Sequence, residues 1–289
     1  MLTLRSPAKL NLYLRITGRL PRGYHRLLTL FHRISLADTL RLAKTREDFS
    51  LRCQDPRIPV GESNLITKAY RLLQKQFPNI GGVRVDLEKR IPVGAGLGGG
   101  SSNAAFFLLG IKKLYGLRIS TSRLLRLGGQ LGADVPFFIQ DINQGIGTGR
   151  GDRILKMKSH ARHYFVLAAS ENELSTGKVY ENLAGKYRPA SLTKDRRELR
   201  ILCSFLDGKR YEKAALFFKN DLELSAFELR PSLRALAGKF KKQGMPFAGM
   251  TGSGPTVFGI AAGLREAKRL AGKLRRKLPS NRILFCRSL

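Results

Sequence analysis

The chain has no tryptophan, and only four methionines, four histidines and three cysteines in 289 residues. Cys53, Cys203 and Cys286 are odd in number and widely spaced, so they show neither a disulfide framework nor a metal motif. The histidines lack metal-site spacing as well. A reducing, cytoplasmic compartment is the expectation. No apolar stretch reaches the roughly 20 residues that span a bilayer. The opening MLTLRSPAKLNLYLRI has no basic start and no cleavage site, and Lys9 interrupts its apolar run, so it does not read as a signal peptide. Acids are the other shortage: 21 Asp and Glu against 53 Lys and Arg leave a net charge of +32. That balance suits anionic partners (nucleotides, phosphorylated metabolites, nucleic acid, a membrane surface) or a generally basic composition. The basic residues are spread along the chain, and only REAKRLAGKLRRKL, 265–278, is dense. There Leu270, Leu274 and Leu278 fall at helical spacing, which predicts an amphipathic surface helix packed on its own domain rather than a membrane or RNA binder.

At 43% hydrophobic the chain is globular, long enough for a sizeable core and for two domains, with a boundary near residue 155. Residues 4–16 alternate, with Ala8, Leu10, Leu12 and Leu14 on one face and Lys9, Asn11, Tyr13 and Arg15 on the other. GRLPRGYHRL reads as a loop, and HRISLADTLRLAK and FSLRCQ as short strands. GESNLITKAYRLLQKQF predicts a helix capped at Ser63 or Asn64. STSRLLRLGGQLGADVPFFI predicts a capped helix stopped near Asp134 and Pro136. GIGTGRGDRI is a second glycine-rich turn. From HYFVLAA, 163–169, a new run of strands and helices begins, with GKYRPASLTKDRRELR as loop. RPSLRALAGKFKKQG is a helix with Gly244 as its C-cap, and MPFAGMTGSGPTVFGIAA is strand, glycine turn, strand.

The most informative stretch is IPVGAGLGGGSSNAA, 91–105, between a strand-like GGVRVDLEKR and a helix running to about Tyr115. Glycines ahead of a helix N-terminus let backbone N–H groups approach an anion closely, so Gly94 to Ser102 reads as a phosphate cradle. It is not a Walker loop, which needs Lys where Gly100 follows Gly99. It formally matches the dinucleotide pattern at Gly94, Gly96 and Gly99, but no acid follows about 20 residues on. Asp134, among apolar neighbours at a helix break, needs a distant partner or a function; closing a turn before Pro136 is the alternative. Lys9 on a short apolar strand, taken by itself, reads as the strand's solvent face.

PVGAGLGGGSSNAA resembles the second motif of the GHMP kinases, which act on galactose, homoserine, mevalonate and phosphomevalonate. SPAKLNLYLRITGRLPRGYHRL, NLITKAYRLL, LGADVPFFI, NDLE (220–223) and MTGSGPTVFG resemble, in the expected order, that family's branch acting on a cytidine diphosphate compound of the non-mevalonate isoprenoid pathway. The resemblance spans nearly the whole chain. Arg26 departs from it, standing where the branch carries Glu after the Tyr-His pair.

The resemblance implies an α+β, two-domain GHMP kinase fold: a ribosomal-protein-like αβ domain over 1–155 and a ferredoxin-like αβ domain over 156–289. It implies ATP as co-substrate with Mg2+, a small-molecule cytidine diphosphate acceptor phosphorylated on its 2-hydroxyl, and no nucleic-acid or membrane partner. The state expected is monomer or homodimer. Asp134 becomes the general base, and Lys9 keeps it ionised and orients the hydroxyl. Asn64, Leu65, Lys89, Pro92, Val93, Gly94, Ala95, Gly96, Leu97, Gly98, Gly99, Gly100, Ser101 and Ser102 fall on the ATP side. Asn11, Tyr24, His25, Phe31, Tyr180, Gly252 and Ser253 fall on the acceptor side. No acidic cluster marks a protein metal site, so phosphates and water are expected to supply most ligands to magnesium. A homoserine- or mevalonate-type acceptor is the alternative.

Overall fold

The computed structural model describes residues 1–289 except 79, 160, 171, 172, 184, 185 and 188–190. Its spine is an antiparallel hairpin of two long strands, β1 (Leu2–Arg19) and β2 (His25–Thr45). The loop expected at GRLPRGYHRL shrinks to one 3-10 turn, Pro21–Gly23, and the short strand expected from His32 is the later part of a strand that starts at His25. The register shifts between Pro7 and Ala8, Asn11 and Tyr13, and Ile16 and Gly18. Such bulges break strict alternation. Packing on both faces also buries Lys9, Asn11 and Tyr13 along with the apolar set.

With β3 (Ser50–Cys53), β4 (Gly82–Glu88), β5 (Gln144–Thr148) and β6 (Arg153–Met157), the hairpin makes a six-stranded sheet of order β3-β4-β2-β5-β6, β1 lying on β2. Four helices pack with it: α1 (Leu65–Gln76), α2 (Gly99–Tyr115), α3 (Thr121–Leu131) and α4 (Val135–Ile139). Their shared core includes Leu40, Val85, Phe107, Ile111, Leu127 and Phe137. Asn64, not Ser63, caps α1, accepting the N–H of Ile66. The helix predicted to stop near Asp134 ends at Leu131, and Pro136 opens the short α4 instead. Proline suits a first helical turn, where its missing N–H has no partner to lose.

The second half supplies β7 (Tyr164–Ser170), α5 (Thr176–Leu183), α6 (Leu192–Asp207), α7 (Tyr211–Ala215), α8 (Leu222–Leu229), α9 (Pro231–Lys242), β8 (Phe247–Met250), β9 (Val257–Ala261), α10 (Leu264–Lys277) and β10 (Asn281–Arg287). Its antiparallel sheet runs β10-β7-β9-β8, the ferredoxin-like order. Residues 192–200, expected as loop, begin α6, whose Leu199, Leu202 and Leu206 are buried; 185 and 188–190 of that stretch lie outside the described residues. Gly244 follows α9 with φ 89°, and α10 turns Leu270 and Leu274 inward as its spacing predicts. Leu10, Leu12 and Leu30 of the hairpin pack with Phe165, Leu202 and Phe258, so the spine is a wall common to both sheets.

Glu223 of α8 accepts the N–H of Met250 at 2.6 Å. Burial, opposed by that hydrogen bond and by Lys241, raises its pKa from 4.5 to about 7. The folded chain therefore keeps a proton that the unfolded chain releases, and the stability this contributes is lost as pH rises from about 4.5 to 7. Glu223→Gln is expected to raise the melting temperature at pH 8 and to leave it unchanged at pH 4. Thermal melts at the two values check this, and equal shifts at both contradict it.

Candidate active site

Two cavities meet at Gly96, Gly98 and Ser101. The larger, about 720 Å³, is lined by Lys9, Asn11, Tyr24, His25 and Phe31 of the hairpin region, by Asp134, by Tyr180 of α5, and by Gly252 and Ser253. The smaller, about 360 Å³, is lined by Asn64, Leu65, Lys89, Asn103 and the glycine loop from Pro92 to Ser101.

The glycine loop needs its glycines for both shape and space. Gly94, Gly96 and Gly98 have φ of 60°, 72° and 70°, the left-handed region that side chains resist. Gly98 is the N-cap of α2, and a Cβ there lies 3.1 Å from atoms of Lys9 and Phe138. The first turn of α2 thus opens onto the junction with unpaired N–H groups and the positive end of the helix dipole. A second glycine turn, with Gly252 and Gly254 at φ 56° and 80°, closes on it from β8. Asn220 holds that turn by donating to the carbonyls of Met250 and Gly252 at 2.8 and 2.9 Å.

At the junction, Lys9 Nζ lies 3.5 Å from Asp134 Oδ2 and donates to Asn11 Oδ1 at 2.6 Å and to the Gly96 carbonyl at 3.1 Å. Three acceptors match the three donors of a buried ammonium. Asn11 is itself fixed: its Nδ2 donates to Thr29 Oγ1 at 2.8 Å and its N–H to Thr251 Oγ1 at 2.9 Å. Asp134 precedes α4 as its N-cap but makes no capping bond, and its side chain is 32% exposed to the cavity. A carboxylate paired with a lysine, open on one side and free of structural duty, can accept a proton from a bound hydroxyl.

The outer part of the larger cavity is aromatic. The His25 and Tyr180 rings stack at 5.1 Å. Burial raises the Tyr180 pKa, with the Asp134 charge adding to it, so the phenol stays protonated at neutral pH. Burial and the charge of Arg19 lower that of His25, whose Nε2 is buried without a partner among the described residues. A neutral imidazole with a free nitrogen suits the polar edge of a base. Tyr24 is 50% exposed at the rim, with the Arg150 guanidinium 5.1 Å from its ring centre. Phe31 forms the floor beneath Lys9.

All the residues expected at the catalytic and acceptor positions line the larger cavity. On the ATP side, Ser102 lines neither cavity: it is fully buried, and its hydroxyl accepts from Ser6 at 2.8 Å. Lys89 borders the smaller cavity, but its ammonium pairs with the buried Asp38. Asp38 also accepts from the N–H groups of Arg90 and Ile91 and from Asn103, tying β2 to the loop and to α2. Asn64 spends its amide on the start of α1 and on the Pro59 carbonyl. The sequence reading missed Asp38, Thr29, Arg150, Thr251 and the anchoring role of Asn220. An acid inside the apolar strand LADTL was the available signal for Asp38; the others become informative only once β1, β5 and β8 are assembled.

Residues 64–141 match the family described as GHMP kinases N terminal domain, and 194–280 match GHMP kinases C terminal. The 4-diphosphocytidyl-2-C-methyl-D-erythritol kinase of Syntrophus aciditrophicus (strain SB) is 37% identical over 289 residues, covering 99% of this chain and 98% of the relative. The enzyme of that name from Acaryochloris marina (strain MBIC 11017) is 34% identical over 287 residues, covering 96% and 92%. A crystal structure of 4-(cytidine 5'-diphospho)-2C-methyl-D-erythritol kinase superposes with a TM-score of 0.83 at 33% identity, covering 99% of each chain.

Proposed function

This chain belongs to the GHMP kinases and, within them, to the 4-diphosphocytidyl-2-C-methyl-D-erythritol kinases, and from that premise we propose that it moves the γ-phosphoryl group of ATP to the 2-hydroxyl of 4-diphosphocytidyl-2-C-methyl-D-erythritol. The observation that carries this reading is the Lys9–Asp134 pair at the point where the two cavities meet. ATP lays its phosphates over the glycine loop and the first turn of α2, with the adenosine toward Asn64, Leu65 and Lys89. The acceptor fills the larger cavity, its cytosine against Tyr24, His25, Phe31 and Tyr180 and its hydroxyl between Lys9 and Asp134.

Phosphoryl transfer through a loose transition state depends on alignment and charge neutralisation. Asp134 takes the hydroxyl proton as that oxygen bonds to the γ-phosphorus and the bond to the departing ADP oxygen breaks. Lys9 pairs with Asp134 and orients the hydroxyl. The N–H groups of the loop hold the transferring phosphates by backbone and helix dipole in place of the Walker lysine. Magnesium, when bound, neutralises phosphate charge. Ser101, an oxygen-bearing side chain at the junction, would suit so hard a cation, and phosphates and water would supply most of its ligands. The same reading divides the chain into domains 1–155 and 156–289, a boundary that falls inside β6 (Arg153–Met157). It also places the enzyme in the cytoplasm, in keeping with three free thiols, as a monomer or homodimer without nucleic-acid or membrane partners.

Tyr24 supplies the test of the acceptor side. Stacking on a base contributes about 1–3 kcal/mol, so Tyr24→Ala is expected to weaken acceptor binding by about tenfold or more at unchanged ATP affinity. Calorimetric titration with each ligand checks this, and unchanged acceptor affinity contradicts the assignment.

A further inference from the structure

We propose that Arg33 is a positioning residue for phosphoryl transfer, and that with Lys9 it grips α4 at both ends and so sets the place of Asp134. This rests on the reading of Asp134 as the base. Lys9 and Arg33 are opposite partners in the β1–β2 ladder, and cross-strand partners project from the same face of a sheet. Lys9 meets the head of α4 at Asp134. Arg33 meets its tail: Nη2 donates to the carbonyls of Phe137 at 3.2 Å and Phe138 at 2.7 Å, and to that of Gln140.

Helix α4 has five residues. One turn has too few internal hydrogen bonds to hold itself. Its trailing carbonyls are what a cation stabilises, both by hydrogen bonding and by opposing the negative end of the helix. Arg33 is only 4% exposed. Its guanidinium lies over the rings of Phe106, Phe137 and Phe138, 5.4 to 5.9 Å from their centres. Burial lowers its pKa only to about 10, so it is cationic at neutral pH. The acceptors are backbone carbonyls; among the described residues Arg33 Nε has no partner, and the charge of Asp141, just after Gln140, opposes the effect of burial. The buried charge therefore acts on the helix backbone.

The grip reaches the rest of the site through aromatic contacts. Phe137 stacks on Phe31 at 4.9 Å, and Phe31 floors Lys9. Phe138 and Lys9 together fill the space beside Gly98. At 1.5 Å per residue the anchored carbonyls of Phe137 and Phe138 lie about 4.5–6 Å along the helix axis from Asp134, and Arg33 lines neither cavity, so it acts through α4 and not on the substrate. Lysine cannot replace it fully, because a point-charged ammonium lacks the planar guanidinium that lies over the rings of Phe106, Phe137 and Phe138.

A misplacement near 1 Å at a reacting group costs on the order of 100-fold in rate. Arg33→Met is expected to lower kcat by about that factor, with KM for ATP and Kd for the acceptor within about threefold of wild type. Arg33→Lys is expected to restore kcat only in part, to about a tenth of wild type. A folded Arg33→Met with near-normal kcat, or with its loss confined to KM, overturns the proposal. Should Arg33→Met fail to fold, Arg33→Lys is read alone, and an unchanged kcat overturns it. Asp134→Asn measured alongside separates the two ideas: wild-type turnover there removes the base itself, whatever Arg33 does.

Discussion

Asp134→Asn is expected to lower turnover by about 1000-fold while the protein stays folded and binds ATP normally. General-base catalysis contributes roughly 100- to 10,000-fold, and an amide of the same shape cannot take the proton. The fold should tolerate the change because Asp134 makes no capping bond and is partly open to the cavity. Lys9 loses its anion but keeps Asn11 and the Gly96 carbonyl as acceptors. ADP release under saturating substrates gives the rate, a thermal melt the fold, and a nucleotide titration the binding. Near-normal turnover contradicts the assignment of the base. A large loss accompanied by loss of ATP binding makes Asp134 structural instead.

Gly96→Ala should have the second largest effect, for a different reason. A Cβ there falls 2.6 Å from the Thr251 carbonyl oxygen and 2.8 Å from that of Gly254. Both are backbone atoms, so neither can rotate away. The residue also has φ 72°, which costs a non-glycine residue about 1–2 kcal/mol. The two glycine turns must separate, and the Gly96 carbonyl that steadies Lys9 moves with them. ATP affinity and kcat should both fall, together by about 100-fold or more in kcat/KM. Gly100→Ala is the contrast: its Cβ meets only a flexible Leu65 methyl at 3.7 Å, and the loss there should be far smaller. Equal losses at the two positions would show that the crowding between the turns is not what matters.

The parts of this site legible in the sequence were those encoded locally. The glycine run before an apolar helix announces a cradle by itself, and α1, α2 and α10 follow from their periodicity. What stayed hidden depends on residues far apart in the chain. Asp38 looks like an isolated acid until Lys89, Arg90, Ile91 and Asn103 close around it. Arg33 finds its carbonyls more than 100 residues away. The start of β2 was missed because the turn residues of GRLPRG run up to Tyr24, directly before the strand begins at His25. The Ser102 side chain leaves the cavity for a reason of helical phase: one residue on from Ser101 turns it by about 100°, into the packing against Ser6. The polar start of α6 concealed a helix whose apolar face begins only at Leu199.

The most direct test is ADP release from ATP and magnesium with 4-diphosphocytidyl-2-C-methyl-D-erythritol, set beside mevalonate and homoserine as acceptors. The account predicts ADP in step with phosphorylation of the 2-hydroxyl of the cytidyl compound, and none with the other two. Turnover with mevalonate or homoserine in its place, or none with a folded chain that binds ATP, would contradict it.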